Sequence, residues 1–314
     1  MSFEIRKYSS ADASLWDAFV KSAWNGVFLF ERGFMDYHAD RFEDFSLLAF
    51  SGDKLKAVLP ANRRDEVLHS HQGLTYGGWV LAPRFGAAEL DALFAEMESW
   101  LAEQGFSRIC YKQKPFVFDR HFSAADAWVL WKRDYQLWRR DLSFCFDWQN
   151  TPGFARDKRY RLNKSARNDL RLQVNGDEAA FLELVNHNLQ NKYDATAVHS
   201  LPEVQLLQQR FPGQIKTFGV HRGAQFLGGA WTFIDNDFVH TQYFHFNEEG
   251  RRLCAPEFLV GQLSALYGRD KRYFSFGTST EADGQRLNEG LAAFKEGFGA
   301  AGFCHDFYRK DLCR

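Results

Sequence analysis

The sequence predicts an α/β chain of the α+β kind, built from two related halves. Three observations carry this. The chain has 314 residues, and at roughly 150 residues per domain that is room for about two domains. The order strand, strand, strand, helix, strand occurs twice, with about 40 residues from first strand to helix in each copy, the sign of a duplicated unit. A polar, basic stretch separates the copies.

In the first copy, residues 46–50 (SLLAF) read as a buried strand. The turn Ser51-Gly52-Asp53-Lys54 and the strand LKAVLPA complete a hairpin. Strands are expected at 67–69 and 74–80. Residues 88–104 then place Leu90, Leu93, Phe94, Met97, Trp100 and Leu101 on one apolar helix face, closed by Gly105. A short buried strand follows at 106–112. In the second copy, TFGV at 217–220, the turn His221-Arg222-Gly223-Ala224 and QFLGGAWTFI form the matching hairpin. A third strand at 238–246 follows, then a helix at 256–267 opened by Pro256, and a strand at 272–277. The basic helix 156–171, with seven Lys or Arg and two Asp, precedes this copy. So do helices at 177–190, with Asp177 as N-cap, and at 201–210. The boundary is placed at Asn150-Thr151-Pro152-Gly153, giving domains 1–150 and 151–314.

Composition narrows the function. Lys plus Arg is 39 and Asp plus Glu is 40, a net charge of −1, which excludes a generic basic DNA binder. With 32 Phe, 11 Tyr and 9 Trp the chain has rings for a core and is not disordered. There is no run of about 18 apolar residues to span a membrane. The start MSFEIRKYSS carries no apolar leader, so a cytoplasmic protein is expected. Five scattered cysteines with no C-x-x-C pair read as reduced thiols. Asp36, His38 and Asp40 do not share a helix face, and no other metal-ligand spacing occurs, so no metal site is expected.

The closing stretch 273–299, YFSFGTSTEADGQRLNEGLAAFKEGFG, carries the chemistry. Phe276-Gly277-Thr278-Ser279 ends a strand, and the helix after it carries Asn288, Gly290-Leu291, Phe294-Lys295 and Phe298-Gly299. Together with the basic helix before LRLQV and with Thr75-Tyr76-Gly77-Gly78 in the first half, this resembles the Fem-type, peptidoglycan-bridge-forming aminoacyltransferases and related acetyltransferase domains. These are tandem GNAT (acyl-CoA N-acyltransferase) domains, each a mixed, mostly antiparallel sheet flanked by helices. The resemblance implies acyl or aminoacyl transfer to an amine, with the active centre in the second domain and the first shaping the acceptor channel. The donor would be acetyl-CoA or another acyl-CoA, with aminoacyl-tRNA as the alternative and no metal. The acceptor would be a small-molecule or a glycan- or lipid-linked amine, as in cell-envelope or polysaccharide precursors.

The resemblance also assigns residues. Asn288 takes the position that lies near the CoA pantetheine in GNAT enzymes, and Lys295 takes the place of the Tyr that protonates the leaving thiolate. The pyrophosphate loop corresponds to 247–256, where Gly250, Arg251 and Arg252 suit an anion but the consensus glycines are absent. Strand 238–246 would line the acyl site, where His240, Gln242, Tyr243 and His245 would orient or deprotonate the amine, with Tyr243, His240 and Lys295 as the catalytic candidates. Its alternation puts His240, Gln242, Phe244 and Phe246 on one side and Thr241, Tyr243 and His245 on the other. Thr278 and Ser279, at the end of a buried strand, and Lys192 and His199, on the loop between the second unit's helices, are candidate acceptor contacts, with Tyr76 from the first half. The competing function is a non-catalytic scaffold that binds a sugar or lipid.

Overall fold

The computed structural model describes residues 2–121 and 123–312, with backbone alone at Lys192 and Tyr193. The candidate Lys192 side chain and Cys313 lie outside the described residues. The chain divides into two compact units. One takes Met1–Asp141, Glu281–Arg286 and the chain from Cys304 on; the other takes Leu142–Thr280 and Leu287–Phe303.

The first unit runs β1 (Glu4–Lys7), α1 (Ala13–Ser22), β2 (Leu47–Ser51), β3 (Lys54–Leu59), β4 (Asn62–Arg64), β5 (Val67–His69), β6 (Val80–Leu81), α2 (Ala87–Glu103), β7 (Arg108–Lys112), α3 (Ala125–Lys132) and the first half of β8 (Gln136–Asp147). One sheet has the order β1-β2-β3-β6. A second set of strands joins β4 to β5 antiparallel, β5 to β7 parallel, and β7 antiparallel to residues 307–311 of the chain's last strand. The apolar face of α2 buries Leu90, Leu93, Phe94, Met97 and Leu101 against β2, β3 and β7 through Leu47, Leu59 and Ile109. Residues 74–79, expected as strand, are bends and irregular backbone. The chain must pass close to its neighbours there: a Cβ at Gly77 would stand 1.7 Å from the Ser70 carbonyl oxygen, and Gly78 has φ +93° against the Tyr111 hydroxyl.

The second unit runs through the rest of β8, then α4 (Arg156–Ser165), β9 (Leu170–Val174), α5 (Glu178–Tyr193), α6 (Leu201–Arg210), β10 (Ile215–Arg222), β11 (Gln225–Asp235), β12 (Phe238–Phe246), α7 (Glu248–Arg252), α8 (Ala255–Tyr267), β13 (Tyr273–Thr278), α9 (Glu289–Glu296) and the start of β14 (Ala301–Asp311). Its strands are ordered β9-β10-β11-β12-β13-β8, antiparallel except for β12 beside β13. Helix α8 buries Leu259, Val260 and Leu263 against Phe218, Val239 and Phe274. Asp177 precedes α5 but does not cap it: its carboxylate takes a hydrogen bond with His221 Nε2 at 2.9 Å instead.

The duplication is visible strand by strand. Leu47 to Ala87 and Ile215 to Ala255, first hairpin strand to helix, are both 40 residues by subtraction. Each unit has a single parallel pair among its described strands, β5–β7 and β12–β13, and each pair is three residues long.

Candidate active site

The parallel pairs end in the same way. In the second unit the register is Phe238↔Tyr273, Val239↔Phe274 and His240↔Ser275; in the first it is Val67↔Arg108, Leu68↔Ile109 and His69↔Cys110. Past the last pair the parallel register stops and leaves a wedge, which in the first unit is bridged by Ser70: its N–H donates to the Cys110 carbonyl at 3.0 Å and its Oγ accepts from Lys112 N at 2.7 Å. A histidine therefore stands at the apex of both wedges. The sequence reading missed this equivalence, although Leu68-His69-Ser70 and Val239-His240-Thr241 announce it in the third strand of each copy.

A bulge helps the second wedge open. On β11, Trp231 pairs with Tyr243 and Thr232 with Thr241, so Gln242 is an extra residue. It also overturns the expected alternation. His240 and Tyr243 share a face, against Phe233 and Trp231, while Val239, Phe244 and Phe246 pack on the α8 side. Periodicity alone does not show a bulge, because a bulge belongs to the pairing and not to the strand.

His240 is buried and its Nδ1 is 3.0 Å from Ser275 Oγ. Burial, and then the nearby Lys295 charge, lower its pKa to about 4, so the ring is neutral at working pH; the Gln242 side chain hydrogen-bonds it. Lys295, from the last turn of α9, is 3% exposed. Its Nζ donates to the carbonyls of Gly277 at 2.8 Å and Thr278 at 2.6 Å. Burial brings its pKa down to about 7. Two carbonyls use the two N–H groups of the neutral amine and leave its lone pair for a proton. Gly277 keeps this corner small, with φ +71° and a Cβ position 3.4 Å from the His240 ring.

The other predicted contacts take lesser places. Asn288 caps α9, its Oδ1 accepting from Leu291 N at 3.0 Å, and its own N–H donates to the Ser279 carbonyl at 2.8 Å. Thr278 Oγ1 is exposed and 3.0 Å from Thr280 Oγ1. Ser279 is buried, and its hydroxyl has no hydrogen-bond partner among the described residues. The Tyr243 hydroxyl accepts from Val198 N at 3.1 Å, lies 3.0 Å from His199 Nδ1, and so ties the α5–α6 loop to β12. His245 Nδ1 is 3.4 Å from Asn188 Nδ2. Tyr76 is buried in the first unit, stacked on Phe118 at 4.5 Å. The structure thus brings His240, Ser275, Gln242 and Lys295 together, with Thr278 and Ser279 just beyond. Tyr243, His199 and His245 form a second group along β12.

The loop expected to hold pyrophosphate satisfies itself. The Gly250 amide donates to Asn247 Oδ1 at 2.7 Å, Arg251 donates to the Phe246 carbonyl, and Arg252 pairs with Glu249 at 2.6 Å. At the start of α8, Glu257 is 1% exposed and paired with Lys158 at 3.0 Å and Arg161 at 2.7 Å. An internal carboxylate thereby stands in the first turn of that helix, and α4 spends two of its cations on it. The outward face of α4 keeps Arg156, Arg159 and Lys164 exposed, with Tyr160 at 68% exposure. Phe244 and Phe276 have ring centroids 6.0 Å apart, and Phe294 lies 6.1 Å from the first and 6.4 Å from the second, so the three rings cluster on the α8 side of the sheet beside the parallel pair. Among the described residues, no group of three or more His, Cys, Asp or Glu is placed to hold a metal.

No family model matches this sequence, and no curated protein is similar to it at a significant level. Solved structures are similar in fold. FemX matches with TM-score 0.68 at 11% identity, covering 98% of this chain and 97% of that one. L-PGS from Bacillus licheniformis matches with TM-score 0.62 at 10% identity, covering 98% and 94%. A tandem GNAT protein from the clavulanic acid biosynthesis pathway matches with TM-score 0.54 at 10% identity, covering 100% and 99%. With its two copies of a mixed sheet that parts beside a parallel pair, this chain has the Fem-like tandem GNAT fold.

Proposed function

We propose that the chain is an N-acyltransferase of the GNAT class. The observation that carries this is the second wedge: two strands part beside a buried amine of pKa about 7 and a neutral imidazole. An acceptor amine attacks the carbonyl carbon of an activated acyl or aminoacyl group. The C–N bond forms and the bond to the leaving sulfur or oxygen breaks. Neutral Lys295 takes the amine proton and returns it to the leaving group, the task for which a group titrating near working pH is suited. His240, held by Ser275 and Gln242, fixes the corner in which that proton moves. Backbone amides of β12 beyond the bulge polarise the carbonyl. The fold neighbours support an acceptor amine on a lipid- or glycan-linked envelope precursor, handled in the cytoplasm where activated donors are made.

The self-satisfied loop 247–256 argues against a CoA pyrophosphate there and favours aminoacyl-tRNA as donor. The exposed basic face of α4 supports that choice, since phosphate contacts supply most of the affinity for nucleic acid. The self-satisfied loop 247–256 also favours a second reading, a non-catalytic ligand-binding scaffold. Thermal melting separates the readings. A donor at about 100 times its dissociation constant adds roughly 2.7 kcal/mol. The expected result is a shift with charged tRNA that shrinks as salt rises. A shift with acetyl-CoA and free CoA assigns the loop to pyrophosphate instead. No shift with any donor leaves the scaffold.

A further inference from the structure

The first unit holds a cavity beside its parallel pair. Its volume is about 240 Å³, and it is walled by His69, Ser70 and Gln72 on one lip and Cys110 and Lys112 on the other. Trp138, Arg139 and Phe307 close its side. Two cations line it and no carboxylate does.

Lys112 is half-buried, and its Nζ donates to the carbonyls of His71 at 3.2 Å and Leu74 at 2.5 Å. No carboxylate among the described residues lies within ion-pair distance of it, which leaves one N–H of the ammonium for a ligand. Arg139 is bound to Asp141 at 2.8 Å and Asp283 at 2.9 Å and lies over the Phe307 ring at 4.6 Å. Trp138 meets Phe307 edge-on at 6.1 Å and is 40% exposed at the rim. The cavity thus offers an aromatic wall, short polar side chains and the Lys112 amine, whose pKa burial and then Arg139 bring down to about 8 while Asp141 opposes the shift.

We propose that the first unit's wedge is a binding site for a hydroxylated ring that carries one anionic group, a carboxylate or a phosphate. The ring lies along Trp138 and Phe307, its hydroxyls reach His69, Ser70 and Gln72, and Lys112 takes the anion. Apolar walls with a few convergent polar groups are what small-molecule sites are made of, and an ammonium serves carboxylate and phosphate alike as a point charge. This site is independent of the acyl-transfer reading.

Calorimetric titration of the full chain with glucuronate, glucose 6-phosphate and glucose at one ionic strength tests it. At least one anionic sugar is expected to bind tenfold or more tighter than glucose. Preference for the first assigns a sugar acid, and preference for the second a sugar phosphate. Lys112→Met should bring that affinity down to the level of glucose, and Trp138→Ala, at the exposed rim, should weaken all three. In the unaltered protein the bound sugar should slow alkylation of Cys110, in the cavity wall, and not of exposed Cys304. Equal affinity for neutral and anionic sugars, unchanged binding by the folded Lys112→Met protein, or an unprotected Cys110 overturns the proposal.

Discussion

Lys295 is a lysine held where a lysine's charge is costly. Its folded pKa of about 7 lies below the ordinary 10.5. Between those values the unfolded chain binds a proton that the folded chain does not, so this group makes stability rise as pH rises from about 7 toward 10.5. Lys295→Met should therefore gain stability relative to the unaltered protein most at pH 6 and least at pH 10, read as denaturation midpoints across pH. A difference independent of pH would remove the perturbed amine from the account. His240 and His69 act on the acid side. Both are lowered from 6.5 to about 4, chiefly by burial. Each contributes stability that is full above 6.5 and is lost as pH falls through that window toward 4. The pair His69→Asn and His240→Asn should flatten the loss between pH 6.5 and 4 in a melting series. The two histidines were legible as residues, and His240 as a site candidate. Their equivalence was not, because it depends on which strands pair in parallel, a long-range fact that no local pattern encodes.

At the scale of elements, the ion pair between α4 and α8 decides how the basic segment reads. Sequence periodicity separates a helix from a strand but does not tell which cations face inward. Lys158 and Arg161 point at Glu257, while Arg156 and Arg159 remain outside. Lys158→Met leaves Glu257 still paired with Arg161 and should cost about 1.5–3 kcal/mol, the range for a hydrogen bond to a charged group. Adding Glu257→Gln should recover part of that loss. Denaturant midpoints of the single and double variants check it, and strict additivity would count against the pair. On the α8 side of the sheet, Phe276→Ala should cost about 3–5 kcal/mol through the cavity left beside Phe244, Phe294 and Phe298. The bulge at Gln242 was not legible for a related reason. Residues 238–246 alternate well enough to predict a regular strand, and only pairing with Trp231 and Thr232 inserts the extra residue.

For the whole molecule, the hairpins, the two 40-residue spacings and the helices Ala87–Glu103, Ala255–Tyr267 and Leu201–Arg210 were all within reach of periodicity and turn chemistry. The resemblance carried by the closing stretch 273–299 implied the Fem-like tandem GNAT fold, and three solved structures share it. What lay beyond reach was how each wedge is used. Rings from three separate elements meet beside the second parallel pair, and a lysine and two aromatic side chains wall a cavity beside the first. Both arrangements depend on residues far apart in sequence. The loop 247–256 shows the same limit: its arginines suit an anion by composition, and the fold gives two of them partners of their own.

In the proposed reaction Lys295 handles the proton in acyl transfer to an amine. The direct test is the rate of donor consumption against pH, from 5.5 to 9, for the unaltered protein and for Lys295→Met. Acetyl-CoA and aminoacyl-tRNA serve as donors, in the presence of an amine-bearing envelope precursor. The rate of the unaltered protein should rise through a midpoint of about 7 with one donor, and the variant should be slower by about 10²-fold or more and lack that rise, in line with the usual contribution of a positioned acid–base group. A Lys295→Met protein that matches the unaltered rate and profile, or no consumption of either donor by the folded protein, would contradict it.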